Sequence, residues 1–349
     1  MKIQHILTIL ITMIFVCSLS TTSAQPIPQR EWLVWNPDGT QIATVLSEEV
    51  VIWDATTRSI LQRIHTFRPD DHIVQIQWSP DKRVALAFDD SSIGIWQSDD
   101  GQLITWLEIE RGTQDYQVHQ ESISTLAWSP DGRFLVSGAV AEGYAVWDTQ
   151  DYSLYNQVYT YTARDVVFTD DENFILAMAS GAVVYHVDAS SRDSDLSEIL
   201  FVNPFVSEHP LGNGSLQILR YNTTNELVIA TTSAGEVFVW DIQQSELVHT
   251  FTVEGGFPWQ VELISISDDP EITLAEGGFP WATEIVTIND DILIFIEEDQ
   301  TVQRYNIFTG EQIETDITLD LHRAMGWSPL GGRIAYLTSG SSEEEIQLE

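Results

Sequence analysis

The chain has 349 residues and carries 53 acidic side chains against 15 Lys and Arg, a formal net charge of −38. A surface this negative repels phosphate backbones and anionic lipid headgroups, which excludes nucleic-acid binding and disfavours membrane-surface roles. Apolar residues make up 43% of the chain and twelve residues are Trp, so a core can form and disorder is excluded for the chain as a whole.

In chain order, the first feature is a secretory signal over residues 1–24. Lys2 is followed by the apolar run Ile6–Val16, and Thr22-Ser23-Ala24 offers small residues before a cut. The predicted mature start is Gln25, and the predicted location is extracytoplasmic: secreted, periplasmic or at the cell surface. Ile6–Leu19 is shorter than the roughly 20 residues of a membrane span, so no span is expected after signal removal. Cys17 is the only cysteine, and bulky Phe15 and Val16 precede it where a lipidation motif wants small residues. The mature chain then has no disulfide, thiolate metal site or Cys nucleophile.

Next comes a repeat. Trp35-Asn36-Pro37-Asp38-Gly39, Trp78-Ser79-Pro80-Asp81-Lys82, Trp128-Ser129-Pro130-Asp131-Gly132 and Trp327-Ser328-Pro329 share one phrase. Alternating residues precede it, as in Val74-Gln75-Ile76-Gln77-Trp78, which predicts a strand with one buried face. Pro presets φ, Asp caps the turn, Gly accepts positive φ, and a second apolar strand follows. A second phrase comes later in each unit: Val51-Ile52-Trp53-Asp54, Ile93-Gly94-Ile95-Trp96-Gln97, Ala145-Val146-Trp147-Asp148 and Val237-Phe238-Val239-Trp240-Asp241. Weaker copies end at Asp188 and Asn306. Each predicts a third strand, and a fourth often follows, as at Ser59–Ile64.

Four strands per unit, repeated every 40–50 residues, predict an all-β fold, a β-propeller. Over residues 31 to about 340 the chain resembles the WD-repeat (WD40-type) family, whose third strands close on Trp-Asp as they do here at Trp53-Asp54, Trp147-Asp148 and Trp240-Asp241. The landmarks Trp35, Trp78, Trp128, Phe168, Tyr221, Ile288 and Trp327 give seven four-stranded blades over residues 25–349: about 31–66, 73–108, 122–161, 163–190, 215–253, 261–318 and 322–349. Closure of the last blade is left open, because Pro26 and Pro28 suit the residues before Glu31 poorly to a ladder. Glu343–Leu348 is a candidate third strand, and a three-stranded last blade and a sequence cut short both fit.

One spacing is too long. Glu254-Gly255-Gly256-Phe257-Pro258-Trp259 recurs as Glu276-Gly277-Gly278-Phe279-Pro280-Trp281, a shift of 22 residues, and Ser265–Asp269 recurs as Thr287–Asp291. This is a tandem duplication before the sixth blade, and the extra copy is expected as a surplus strand or a loop.

The resemblance also implies a fastening set in which a His before the first strand, a Ser or Thr in the second and the Trp of the third are hydrogen-bonded. His119, Ser137 and Trp147 match it, whereas Ala141-Glu142-Gly143 replaces the Asp expected before the third strand. The second unit keeps Asp90 and Trp96 without a matching His. The residues read as structural repeat positions are therefore Trp53, Asp54, Trp96, His119, Ser137, Trp147, Asp148, Trp240 and Asp241.

For function, the long connections Glu108–Ser122, Ser190–Gly214 and Glu254–Thr283 are where binding residues tend to sit. Phe257, Trp259, Phe279 and Trp281 are candidate binding residues, each beside Gly or Pro and each set against the alternative of a plug between blades. Phe201 and Phe205 have a weaker claim. The acid pairs, such as Asp89-Asp90 and Asp268-Asp269, lie at turn positions and lack the spacing of a calcium loop. No His-Glu-x-x-His, Gly-x-Ser-x-Gly or phosphate-cradling motif occurs, so no catalytic residue, metal or cofactor is assigned. The leading expectation is a non-enzymatic exported scaffold binding a protein partner, of basic character, through its top-face loops. The alternatives are a propeller hydrolase or lyase with a divalent metal in the central channel, and the propeller module of a truncated larger enzyme.

Overall fold

A computed structural model describes the strands and tight turns between residues 33 and 348. Residues 1–32, the connections 108–118, 189–196, 203–215, 253–259, 267–281, 314–323 and 338–345, and several shorter stretches lie outside the described residues. The segment read as a secretory signal is among these. Every regular element described is a strand, and none is a helix.

The first sheet holds β1 (Leu33–Trp35), β2 (Gln41–Leu46), β3 (Glu49–Asp54) and β4 (Ile60–His65). The second holds β5 (Ile73–Trp78), β6 (Arg83–Phe88), β7 (Ile93–Gln97) and β8 (Leu103–Leu107). The third holds β9 (Ile123–Trp128), β10 (Phe134–Ala139), β11 (Gly143–Asp148) and β12 (Ser153–Val158). The fourth holds β13 (Asp165–Phe168), β14 (Asn173–Met178), β15 (Gly181–His186) and β16 (Ser197–Val202). The fifth holds β17 (Leu216–Asn222), β18 (Leu227–Thr232), β19 (Glu236–Asp241) and β20 (Glu246–Thr252). A five-stranded sheet follows, with β21 (Gln260–Ile266), β22 (Ala282–Ile288), β23 (Ile292–Ile296), β24 (Val302–Asn306) and β25 (Gln312–Ile313). Last comes a three-stranded sheet of β26 (Ala324–Trp327), β27 (Ile334–Leu337) and β28 (Ile346–Leu348). Strands neighbour one another in chain order throughout, and every pairing is antiparallel except that of β21 with β22.

The turn chemistry explains the first hairpin of the first three units. Gly39 and Gly132 take φ of 66° and 74°, and their N–H groups donate to Asn36 O and Ser129 O. Asp131 Oδ1 accepts from Arg133 N at 2.9 Å, as Asp38 Oδ1 does from Thr40 N. In the second unit Lys82 holds the same left-handed position at φ 66°, a strain that Gly avoids.

Among the described residues, four core clusters lie between adjacent sheets. Val50, Ile52 and Ile64 of the first sheet pack with Ile76, Leu86, Phe88 and Trp96 of the second. The opposite face of the second sheet, Ala85, Ala87 and Ile95, packs with Leu126, Leu135, Ala145 and Trp147 of the third. The third and fourth sheets share a further cluster, and so do the fourth and fifth. A middle strand is thus covered on both faces, which is why β6, β10, β11 and β18 are buried at every position and read as continuous apolar runs. Each fully buried Val, Ile or Leu contributes about 1.5–3 kcal/mol.

First strands neighbour first strands. β5 lies beside β1 and β9, β13 beside β9 and β17, and β17 beside β21; β26 of the last sheet lies beside β1. From β26 through β1, β5, β9, β13 and β17 to β21, the first strands therefore follow one another side by side.

One stretch differs from the sequence expectation, and a second decides between the two alternatives left for the duplicated copy. β16 lies inside Ser190–Gly214, a connection by its sequence, and pairs with β15 through Phe201 opposite Val183. The polar run Ser190–Asp195 ahead of it hides the strand. In the duplicated stretch, the surplus copy is a strand: β21 pairs with β22 in parallel.

Candidate functional site

In an antiparallel meander the start of the first strand and the end of the second lie at the same end of the sheet. Polar side chains at this end join successive sheets. Gln75 Nε2 in β5 donates to Ser124 O in β9 at 2.6 Å. Ser124 Oγ donates to Ala163 O, just before β13, at 2.8 Å. Asp165, at the start of β13, spans three sheets. Its Oδ1 accepts from Thr125 Oγ1 of β9 at 2.9 Å, and its Oδ2 accepts from Leu219 N of β17 at 2.8 Å and from Arg220 Nη1 at 3.2 Å. Burial pushes the Asp165 carboxyl above its ordinary 3.8, against the pull of Arg220, the Leu219 N–H and the Thr125 hydroxyl.

At the other end Arg83 performs a similar service between the second and third sheets. Its Nη2 donates to Gly132 O at 2.6 Å, its Nε to Asp81 Oδ1 at 2.8 Å, and its guanidinium lies 4.8 Å from the Trp128 ring centre. Asp81 titrates below its ordinary value: burial pulls it upward, but the hydrogen bonds from Arg83 and Ser79 prevail.

The third sheet contains a polar latch. His119 Nε2 lies 3.0 Å from Ser137 Oγ, and Trp147 Nε1 donates to the same Oγ at 3.0 Å. In the first sheet Trp53 Nε1 donates to Thr44 Oγ1 at 2.8 Å. In the second, Trp96 is held by apolar contact, its ring edge-on to Trp106 at 5.3 Å and near Phe88 at 6.2 Å. In the fifth, Trp240 Nε1 is buried with no hydrogen-bond partner. The Asp that follows Trp53, Trp147 and Trp240 organises a turn. Asp54 accepts from the N–H groups of Thr57 and Thr56, which lower its pKa together with the Thr57 hydroxyl. Asp148 is buried and accepts from Gln150 N and Arg133 Nη2. Asp241 accepts from Gln244 N.

Phe257, Trp259, Phe279 and Trp281 lie outside the described residues, as does Phe205. Among the described residues no group of three or more His, Cys, Asp or Glu is placed to hold a metal ion. Sequence reasoning missed Asp165, Arg220 and Arg83. The signal available was a charged residue standing at a strand position beside an apolar run.

Exposed aliphatic side chains occur on the outer strands. In β4, β8 and β20 a bulge opposite the third-strand Trp leaves one extra residue, Leu61, Ile104 and Val248, at 47%, 38% and 39% exposure. Such bulges disrupt the open edge of a sheet and guard against edge-to-edge pairing. In the third sheet the extra residue is Tyr155, whose hydroxyl donates to Asp188 O at 2.9 Å.

Four-stranded antiparallel meanders, joined first strand to first strand with their core between sheets, define a β-propeller architecture. The family model "WD domain, G-beta repeat" matches residues 112–148, the stretch that holds His119, Ser137 and Trp147. The chain is 24% identical over 253 residues to human apoptotic protease-activating factor 1, covering 68% of this chain and 18% of that protein. It is 23% identical over 224 residues to COMPASS component SWD3 of Saccharomyces cerevisiae, covering 63% of this chain and 66% of that one. It is 23% identical over 227 residues to a WD repeat-containing protein 26 homolog of Drosophila melanogaster, covering 62% and 32%. The fold and these matches relate the chain to WD-repeat proteins. The chain spans less than two thirds of the length of each of these relatives.

Proposed function

We propose that this protein is a non-enzymatic, exported scaffold: a closed ring of seven blades that binds a protein partner through the connections at its top face. The observation that carries this reading is where the described polar chemistry goes. His119, Asp165 and Arg83 are each engaged in joining strands or sheets. Groups occupied in this way build a rigid frame, and on such a frame recognition falls to the connections. The WD-repeat relationship supports a protein partner, since members of the family generally act by binding other proteins. The net charge of −38 supports a basic one, with association that weakens as salt rises. Lys2, the apolar run Ile6–Val16 and Thr22-Ser23-Ala24 support export.

The partner contacts are assigned to Phe257, Trp259, Phe279 and Trp281. The test is a pulldown from the extracytoplasmic fraction across a salt series, with the wild-type chain and with all four aromatics changed to Ala. The reading expects a partner that is recovered at low salt, lost at high salt and lost with the Ala variant. Unchanged recovery of every partner by a folded Ala variant contradicts the assignment.

A further inference from the structure

We propose that the two copies of the duplicated segment are interchangeable first strands of the sixth sheet, with β22 paired to β23 and β21 held beside it as a spare able to take its place. The juxtaposition is one of register. Gln260 lies opposite Ala282 and Ile266 opposite Ile288, so every residue of β21 stands beside its own counterpart 22 positions on. A shift by an even number preserves the alternation of a strand, so replacement of one copy by the other keeps the residue classes from Glu262 to Ile266 on their faces, while Gln260 and Val261 stand for Ala282 and Thr283. The classes match: Glu262 with Glu284, Leu263 with Ile285, Ile264 with Val286, Ser265 with Thr287, Ile266 with Ile288. β22 meets β23 through Thr287 opposite Leu293, Val286 opposite Ile294 and Ile285 opposite Phe295. Ser265, Ile264 and Leu263 offer the same sequence of contacts.

Two further observations favour exchange. In the second, third, fourth and fifth sheets one strand both neighbours the preceding first strand and pairs with the sheet's second strand, as β9 does with β5 and β10. In the sixth sheet these duties are divided: β21 lies beside β17, while β22 pairs with β23. The parallel pairing also sets Glu262 opposite Glu284, and like charges on neighbouring strands weaken it. The seat beside β23 favours the second copy because residues 289–291 alone separate β22 from β23; with β21 in that seat, residues 267–291 become a longer and entropically costlier connection.

The test uses Val286→Pro, which removes a ladder hydrogen bond from β22. In the full chain this variant is expected to fold, with its melting temperature lowered by no more than about 5 °C, a loss of roughly 1–2 kcal/mol in a domain of this size. A chain lacking residues 260–281 is expected to fold like wild type, and the same substitution in that shorter chain is expected to abolish folding. Cysteine pairs read the exchange directly in a Cys17→Ser background. Thr287→Cys with Leu293→Cys is expected to cross-link without the proline, and Ser265→Cys with Leu293→Cys only with it. Equal damage by V286P in both chains, failure of the shortened chain to fold, or a cross-linking pattern indifferent to the proline would each overturn the proposal.

Discussion

The third and fifth sheets carry the same residue types and use them differently. In the third, Ser137 lies opposite Ala145, two residues before Trp147, so the hydroxyl and the indole share a face and bond at 3.0 Å. The first sheet repeats this, with Thr44 opposite Val51, two residues before Trp53. In the fifth, Thr231 lies opposite Val237, three residues before Trp240, and a strand's period of two puts it on the other face. The position facing Trp240 belongs to Ala230, opposite Phe238. Thr231 Oγ1 and Trp240 Nε1 are accordingly both buried without a hydrogen-bond partner. A displacement of one residue separates a sheet whose Trp is fastened by a hydroxyl from one whose Trp is held by apolar contact.

The largest effect is expected from breaking the latch. Ser137→Ala removes the hydroxyl shared by Trp147 and His119, leaving two buried groups without it, and should cost about 2–4 kcal/mol in urea unfolding. A loss well under 1 kcal/mol would reduce the latch to decoration. The bridge between the two sheets comes next. Asp165→Asn replaces a carboxylate that accepts from Thr125 on one side and from Leu219 and Arg220 on the other, at a cost of about 2 kcal/mol.

The pH dependence of that second loss has a defined sign. The folded Asp165 carboxyl lies above the 3.8 of the unfolded chain, so its stabilising contribution is present at low pH and is lost as pH rises through the folded value. Wild-type stability minus that of Asp165→Asn should therefore shrink from acidic to neutral pH. Growth of the difference would mean that Arg220 outweighs burial. Asp54 and Asp81, both lowered, contribute the opposite slope as pH falls from 3.8 through their lower folded values, and are common to both proteins. The smallest effect sharpens the comparison by repair. Ala230→Ser gives Trp240 the acceptor that Trp53 and Trp147 already have, and should add about 1 kcal/mol. A neutral or destabilising result would show that facing position alone does not create the bond.

Much of this was legible in the sequence because it is local. Trp-Ser-Pro-Asp-Gly specifies a strand end and a turn within a few residues, and the structure shows the corresponding left-handed φ at Gly39 and Gly132. The His119, Ser137 and Trp147 set was legible because family spacing fixes its register. Asp165 was not, since its partners come from two other sheets and no local pattern announces them. β16 was obscured by the polar run before it. The parallel placement of β21 was beyond a sequence reading, because a repeated copy fits a loop, an antiparallel strand or a parallel one equally well.

The central claim is that the sheets stand side by side around one axis, with β1 beside β26. Small-angle X-ray scattering of residues 25–349 tests it most directly. The account predicts a radius of gyration of about 20 Å, with the narrow distance distribution of a compact disc. A markedly larger radius with a long tail of distances would contradict it.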